Sequence, residues 1–258
     1  MKDQDKLFAM RHSCAHVLAA AVKRLYPGAK FGVGPVVDNG FYYDVALDKA
    51  LNDDDLKKIE AEMRKIIAEG YDMVREEMSI DEAIKLFSDL KQDFKLELLR
   101  DLKEKGTTKL NKEEAADFDI EKPGIASIYK TGDFIDLCRG PHVDNVSEIG
   151  AFKLWKIAGA YWRGDSTNPQ LQRIYGLCFA TEQELKDYER MLKEAKKRDH
   201  RKLGQELDLF TFSDLVGSGL PLFTPRGTIV REQLTKFVWE IMKPYGYLKV
   251  DIPHIAKS

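Results

Sequence analysis

The chain has 258 residues, 43% of them hydrophobic, which is enough for one large or two modest domains around a real core. Its 41 basic and 43 acidic side chains leave a formal charge of −2, which argues against binding nucleic acid through overall basicity and restricts any such contact to a local patch. No stretch approaches the ~18 apolar residues of a membrane span, the start MKDQDKLF has no hydrophobic signal region, and three scattered cysteines make no disulfide framework, so a reducing, cytoplasmic setting without a membrane is expected.

Along the chain, Leu7, Met10, Ala15, Leu18, Val22 and Leu25 recur at helical spacing and predict a helix that ends at the breaker Pro27-Gly28. KFGVGPVVDNGFYYDV places β-branched and aromatic runs on either side of Asp38-Asn39-Gly40, where Asn-Gly supplies the positive φ of a tight hairpin turn. A second helix is expected over 53–69, opened by three aspartates and stopped at Gly70. YDMVREEMS reads as a strand and Asp81–Leu90 as a short helix, while 91–124 is charged and weakly periodic, either a small helical insertion or a surface arm. IASIYKTGDFIDLCRG alternates around a Thr131-Gly132-Asp133 turn and breaks at Gly140-Pro141, and AFKLWKIAGAYWRGD and QLQRIYGLCFA are expected as further strands of the same sheet. Strands clustered with short turns favour an α+β fold over a βαβ succession. A charged helix over 182–203 with a narrow apolar stripe would connect this part to a C-terminal segment made of a Gly/Pro-rich stretch, a helix from Thr228 to Tyr245 and a strand YLKVDIPHI. Those last fifty-odd residues look like the opening of a domain.

Two spaced pairs carry the chemistry. His12 and His16 are four apart and share a helix face, with Cys14 pointing away; Cys138 and His142 are also four apart, but Gly140 and Pro141 exclude a helix there, so the cysteine ends a strand and the histidine lies on the next loop. Three histidines and a cysteine suit either a tetrahedral metal site or a metal-free pocket of titratable groups, and the spacing does not choose. An isolated HxxxH pair is more often a half-buried structural pair than a site; what shifts the balance is that three of the five histidines fall with a cysteine in two such pairs. Asp136, on the same strand face as Cys138, could orient an imidazole or a lysine, and Lys95 could meet a phosphate or a leaving-group oxygen, although each also reads as a surface charge. Alternation puts one of Tyr42 and Tyr43 in the core and the other on an open face. Trp155, Tyr161 and Trp162 interleaved with Lys153, Lys156 and Arg163 suit either stacking on single-stranded RNA or packing. His200 and His254 have no comparable partner, and Cys14 and Cys178 read as small buried hydrophobes.

RHSCAHVLAAAVKRLYP followed by GPVVDNGFYYDV, and then DLCRGPHV, AGAYWRGDS, LQRIYG and AKKRDHRKLGQELDLF in the same order, resemble threonyl-tRNA synthetase over nearly the whole chain. The resemblance implies an antiparallel-sheet editing domain flanked by helices over 1–180, a linker helix over 181–203 and, over 204–258, the start of a class II catalytic domain with its first class II motif, including Pro253. The family's ubiquitin-like N-terminal domain, its second and third class II motifs and its anticodon-binding domain have no counterpart here. Ligase activity is therefore not expected of this chain, and ATP, magnesium and the threonine-recognising zinc would belong to the portion not represented.

What the resemblance does imply is hydrolysis of mischarged Ser-tRNA(Thr), with the tRNA acceptor end as partner and a homodimer for the full-length family member. It places His12, His16, Lys95, Cys138 and His142 in the catalytic set. His12 would activate or orient water, Lys95 would assist at the ribose oxygen, Asp136 would bind the seryl ammonium or hydroxyl, and Tyr43 would shape the pocket. Cys138 is less favoured as a covalent nucleophile, since no neighbouring base is demonstrable from sequence. No cofactor is required in this reading, with zinc on His12, His16, Cys138 and His142 as the alternative. The competing function is a non-catalytic tRNA-binding or dimerisation module with a structural metal knot; a metabolic zinc hydrolase stands further off.

Overall fold

A computed structural model of the chain describes residues 3–108, 110, 114, 124–217 and 219–251. It divides into two units, one up to Asp187 and one from Tyr188 onward. In the first, helix α1 (Asp3–Leu25) carries the predicted apolar run, and Val17 to Val22 are buried on every side, so this helix is central rather than peripheral. Helix α2 (Asp53–Glu69) begins and ends where expected. Asn52 caps its N-terminus reciprocally with Asp55, the aspartates sit at the positive end of the helix dipole, and Gly70 closes it at φ 69°.

The strands of this unit are β1 (Lys30–Phe31), β2 (Val36–Val37), β3 (Gly40–Ala46), β4 (Met73–Ser79), β5 (Ile125–Thr131), β6 (Phe134–Leu137), β7 (Ala151–Tyr161) and β8 (Gln170–Phe179). They do not share one sheet, contrary to the sequence expectation. β1-β3-β8-β7, with β2 hydrogen-bonded to β3, makes one antiparallel sheet, and β4-β5-β6 makes another. The physical reason lies at the free edge of β7. There the Arg64 guanidinium donates to the Phe152 carbonyl (3.2 Å) and the Glu60 carboxylate accepts from the Leu154 amide (3.0 Å). Side chains of α2 thus satisfy an edge that another strand would otherwise take.

The hairpin β2–β3 forms, but its turn is not the one expected. Val37 pairs with Gly40, leaving Asp38 and Asn39 as the loop, and neither Asn39 nor Gly40 has positive φ. Gly40 is needed for another reason: a Cβ there would stand 1.9 Å from the Gly176 carbonyl of β8. The β5–β6 hairpin does turn at Gly132, with φ 56°.

Helix α3 (Ile80–Asp89) starts with a Ser79–Glu82 capping box. The stretch 91–124 begins not as a surface arm but as helix α4 (Asp93–Lys105), which buries Phe94, Lys95, Leu96, Leu98, Leu99, Asp101 and Leu102. Its outer side is held by the turn after β7. Trp162 packs on Phe94 with ring centroids 4.8 Å apart, its indole N–H donates to Glu97 (2.9 Å), and Arg163 pairs with Asp101 (2.6 Å). Trp162 and Arg163 are therefore packing residues, whereas Trp155 and Tyr161 are exposed.

The second half of helix α5 (Glu182–Lys197) is charged and mostly exposed. The helix expected through Leu203 breaks at Asp199, whose carboxylate accepts from the Arg201 amide and starts helix α6 (His200–Glu206). A small ladder joins β9 (Phe210–Thr211) to β10 (Leu222–Phe223). Helix α7 (Pro225–Met242) comes next, capped by Thr224 and started three residues before the expected Thr228 because Pro225 fits the first helical turn. Residues 247–251 are not a strand, since no strand stands beside them among the described residues; the remainder of YLKVDIPHI, with Pro253 and His254, lies outside those residues. Among the described residues no helix is long and apolar enough to cross a membrane.

Candidate active site

The histidine–cysteine cluster of the site is assembled from helix α1, the end of strand β6 and the loop that follows it. Helical spacing on α1 brings the rings of His12 and His16 to 5.3 Å between centroids, at right angles. The strand β6 ends at Leu137, and Cys138 comes directly after it, tied to the second sheet by its amide on the Ser127 carbonyl (3.2 Å). The next loop brings His142 back over α1, its ring 4.2 Å from each of the His12 and His16 rings. All four side chains offer donor atoms within 4.8 Å of one another, and His12, His16 and Cys138 are essentially shut off from solvent.

The sulfur of Cys138 lies 3.4 Å from His12 Nε2 and 3.3 Å from His142 Nε2, and it accepts the Gly140 amide at 3.2 Å. The neighbouring base that the sequence does not reveal is therefore present twice over. Cys14 does point away: it is buried against Cys178, and burial first, then the Cys178 hydrogen bond, push its thiol pKa up, so it is inert.

A second group adjoins the first. The Lys95 ammonium, on α4, meets the Asp136 carboxylate at 2.6 Å and donates to the Tyr43 hydroxyl at 3.2 Å; that hydroxyl in turn donates to Asp136. His16 Nε2 stands 3.5 Å from the same carboxylate and joins the two groups. Lys95 and Asp136 are 1% and 2% exposed, so neither is the solvated surface charge that its local sequence also allowed. Both tyrosines of β3 are buried, contrary to the expectation that one would face open solvent. Tyr43 lies on the site side, and Tyr42 on the other side donates to Glu114 (2.7 Å) beneath the Arg173 guanidinium.

Protonation is set by burial. It lowers the His16 pKa to about 3, with His12 and Lys95 adding to the effect and Asp136 opposing it. Burial likewise holds His142 well below the usual imidazole range, reinforced by His12 and His16. For Asp136 burial works upward, but the Lys95 charge and the hydrogen bonds from Lys95 and Tyr43 outweigh it and keep the carboxyl below its ordinary value. Both imidazoles are thus held toward the neutral form, and His16 stands beside the ionised Asp136 carboxylate. Nδ1 of His16 has no hydrogen-bond partner among the described residues, a buried polar atom available to a ligand.

Three histidines and a cysteine are zinc ligands in kind. Tetrahedral zinc with bonds of about 2.0–2.3 Å needs its donors roughly 3.3–3.8 Å apart, so the set, spread over up to 4.8 Å, would have to draw in.

Ser13, between the two α1 histidines, is a site residue that sequence reasoning does not single out. It is completely buried and its hydroxyl touches His142 Nδ1 at 3.2 Å. Only its place inside the motif RHSCAH hints at a role.

The family described as "Threonyl and Alanyl tRNA synthetase second additional domain" matches residues 126–175, which contain Asp136, Cys138 and His142. The chain is 48% identical over 249 residues to a threonine–tRNA ligase of Geobacillus kaustophilus, covering 96% of this chain and 35% of that protein. It is 47% identical over 255 residues to threonine–tRNA ligase 1 of Bacillus subtilis, covering 99% and 37%, and 46% identical over 257 residues to a threonine–tRNA ligase of Gloeobacter violaceus, covering 99% and 38%. The sequence resemblance thus holds along nearly the whole chain, while the chain spans a little over a third of the length of these relatives.

Proposed function

We propose, for a chain that matches threonyl-tRNA synthetases from end to end of its own sequence, that residues 1–180 form an editing domain hydrolysing the ester of Ser-tRNA(Thr), that 181–203 link it onward, and that 204–258 open a class II catalytic domain. The observation that carries this reading is the joining of two buried groups, the His12–His16–Cys138–His142 cluster and the Lys95–Asp136–Tyr43 network, through the 3.5 Å contact of His16 with Asp136.

The specificity problem makes such a site useful. Threonine and serine differ by one methyl group, which supports only roughly 10- to 200-fold discrimination in binding. A pocket that hydrolyses the smaller product and has no room for the larger one corrects the residual error. Attack of water on the seryl carbonyl forms the new C–O bond and breaks the bond to the ribose oxygen, which must receive a proton. His12 is assigned the orientation of the water and acceptance of its proton. Lys95, held on Asp136 and Tyr43, is assigned to the ribose oxygen, and Asp136 to the seryl ammonium or hydroxyl. Because Lys95 and Asp136 already pair with each other, substrate binding would exchange part of that pairing for contacts to the ester. Cys138, with imidazole nitrogens beside its sulfur, supplies hydrogen bonding to this arrangement without being required as a nucleophile.

The reading needs no metal. A zinc ion would be held by His12, His16, Cys138 and His142; with all four bound the site is closed and structural, and with one of them released it would supply polarisation of the ester carbonyl and a more acidic water. The acceptor end of tRNA(Thr) is the proposed partner. The apolar residues Ile229, Leu234, Phe237 and Ile241 of α7, all exposed, are assigned to the subunit interface of a longer, dimeric protein, and a cytoplasmic location goes with that assignment.

Single-turnover release of amino acid from Ser-tRNA(Thr) and Thr-tRNA(Thr), with and without chelator, tests the proposal. Expected is loss of serine only, resistant to chelator and slowed about 100-fold or more in His12→Ala, as for removal of a positioned acid or base. A protected ester in the folded, tRNA-bound chain would instead assign it a binding role; loss of activity on chelation would make the metal essential.

A further inference from the structure

We infer that Ser13 is a positioning residue which fixes His142 in its Nδ1–H form, so that the bare Nε2 of His142 faces Cys138 and the centre of the site. Three contacts to one oxygen carry the assignment. Ser13 Oγ has as neighbours the Ala9 carbonyl oxygen at 2.8 Å, the Val143 amide nitrogen at 3.0 Å and His142 Nδ1 at 3.2 Å. A hydroxyl carries one proton and accepts through two lone pairs. A carbonyl oxygen can only accept, so the contact with Ala9 requires the hydroxyl proton; otherwise two oxygens would meet at 2.8 Å lone pair against lone pair. The Val143 amide can only donate and takes one lone pair. The remaining lone pair faces His142 Nδ1, which must therefore bring its own proton. All three contacts are hydrogen bonds in one arrangement alone, with His142 protonated on Nδ1.

The consequence lies on the other side of the ring. A neutral imidazole with a proton on Nδ1 has a lone pair on Nε2, and that atom is 3.3 Å from Cys138 Sγ. It can accept the thiol proton, or the proton of a substrate group or water entering beside the sulfur. With the opposite tautomer the same nitrogen would present a proton to the cluster and lose this capacity. Ser13 reaches His142 because both histidine-bearing turns of α1 are buried under the 138–143 loop, and its hydroxyl is bonded both to its own helix (Ala9) and to the loop (Val143). The loop's entry over α1 and the direction of its imidazole are thus set by the same oxygen.

That this tautomer matters for catalysis rests on the hydrolytic function proposed above; the tautomer itself does not. The test is a long-range 1H–15N spectrum of the full chain labelled with 15N-histidine, recorded after chelator treatment. His142 is expected with Nδ1 protonated and Nε2 bare. In Ser13→Ala the ring should shift toward the Nε2-protonated form, and in Ser13→Thr, which keeps an oxygen in place, it should stay as in the parent chain. Serine release should slow by about 10- to 100-fold in Ser13→Ala, the usual cost of removing a partner that orients a working histidine, and recover in Ser13→Thr. A parent spectrum showing His142 protonated on Nε2 overturns the inference, and so does a folded Ser13→Ala chain with an unchanged tautomer. Should Ser13→Ala not fold, the parent spectrum alone decides. Absence of hydrolysis in the parent chain with the Nδ1–H form observed would count against the hydrolytic function and leave the tautomer assignment standing.

Discussion

His16 shows how burial decides what a motif residue can do. Exposed, it would titrate near 6.5; at its place between Asp136 and the other imidazoles its pKa falls to about 3. Between those two values the unfolded chain binds a proton that the folded chain refuses, so folding stability from His16 is fully present above about pH 6.5 and is lost as the pH falls toward 3. His142 is displaced in the same direction, and Asp136, whose pKa is also lowered, adds a loss at still lower pH. The urea midpoint of the first unit is therefore expected to drop between about pH 7 and about pH 4.5, and to drop less steeply in His16→Gln. Equal slopes in the two chains would refute this. The sequence shows His16 as one of two histidines on a helix face, but not the carboxylate 3.5 Å away, which comes from a strand 120 residues later.

At the level of elements, the strands and helices of the first unit are legible where local rules suffice. Examples are the aspartate-rich start and Gly70 stop of α2 and the Gly132 turn of β5–β6. Local rules mislead where the cause is distant in the chain. Gly40 looks like half of an Asn-Gly turn; its actual constraint is the backbone of β8, 1.9 Å from where a side chain would begin. Since that obstacle is backbone, Gly40→Ala should destabilise the chain by about 1–3 kcal/mol through overpacking. Gly28→Ala, where nothing lies within 4 Å, should be neutral or slightly stabilising. Chemical denaturation of the two variants side by side checks this, and equal stabilities would return Gly40 to the role of a turn residue. The helix α4 is hard to read locally because its buried face includes a lysine and an aspartate, which blur apolar periodicity; only the Asp136 and Arg163 partners explain why those charges are inside.

Across the whole molecule the two units differ in how they use apolar surface. In the first, the central helix α1 is sealed from Val17 to Val22. In the second, Ile229, Val230, Leu234, Phe237, Val238 and Ile241 of α7 are all at least 45% exposed. A helix gains most of its stability from burying an apolar face, and a face left in water gives little. Amide hydrogen exchange should accordingly be much faster across α7 than across α1, and concentration-dependent protection of α7 would identify that face as self-associating. Equally slow exchange in both helices at low concentration would contradict the reading.

By itself the sequence determined the α+β composition, most element positions, the two His/Cys pairs and the likeness to synthetases that runs the length of the chain, because each of these is written in residue types at short spacing. Tertiary structure alone decided that the strands divide into two sheets and that Lys95 and Asp136 are a buried ion pair. It also decided that burial lowers the pKa of His16 and His142 and that Ser13 belongs to the site. Those facts depend on desolvation and on contacts between residues far apart in the chain, and neither has a period or a motif from which it could be read.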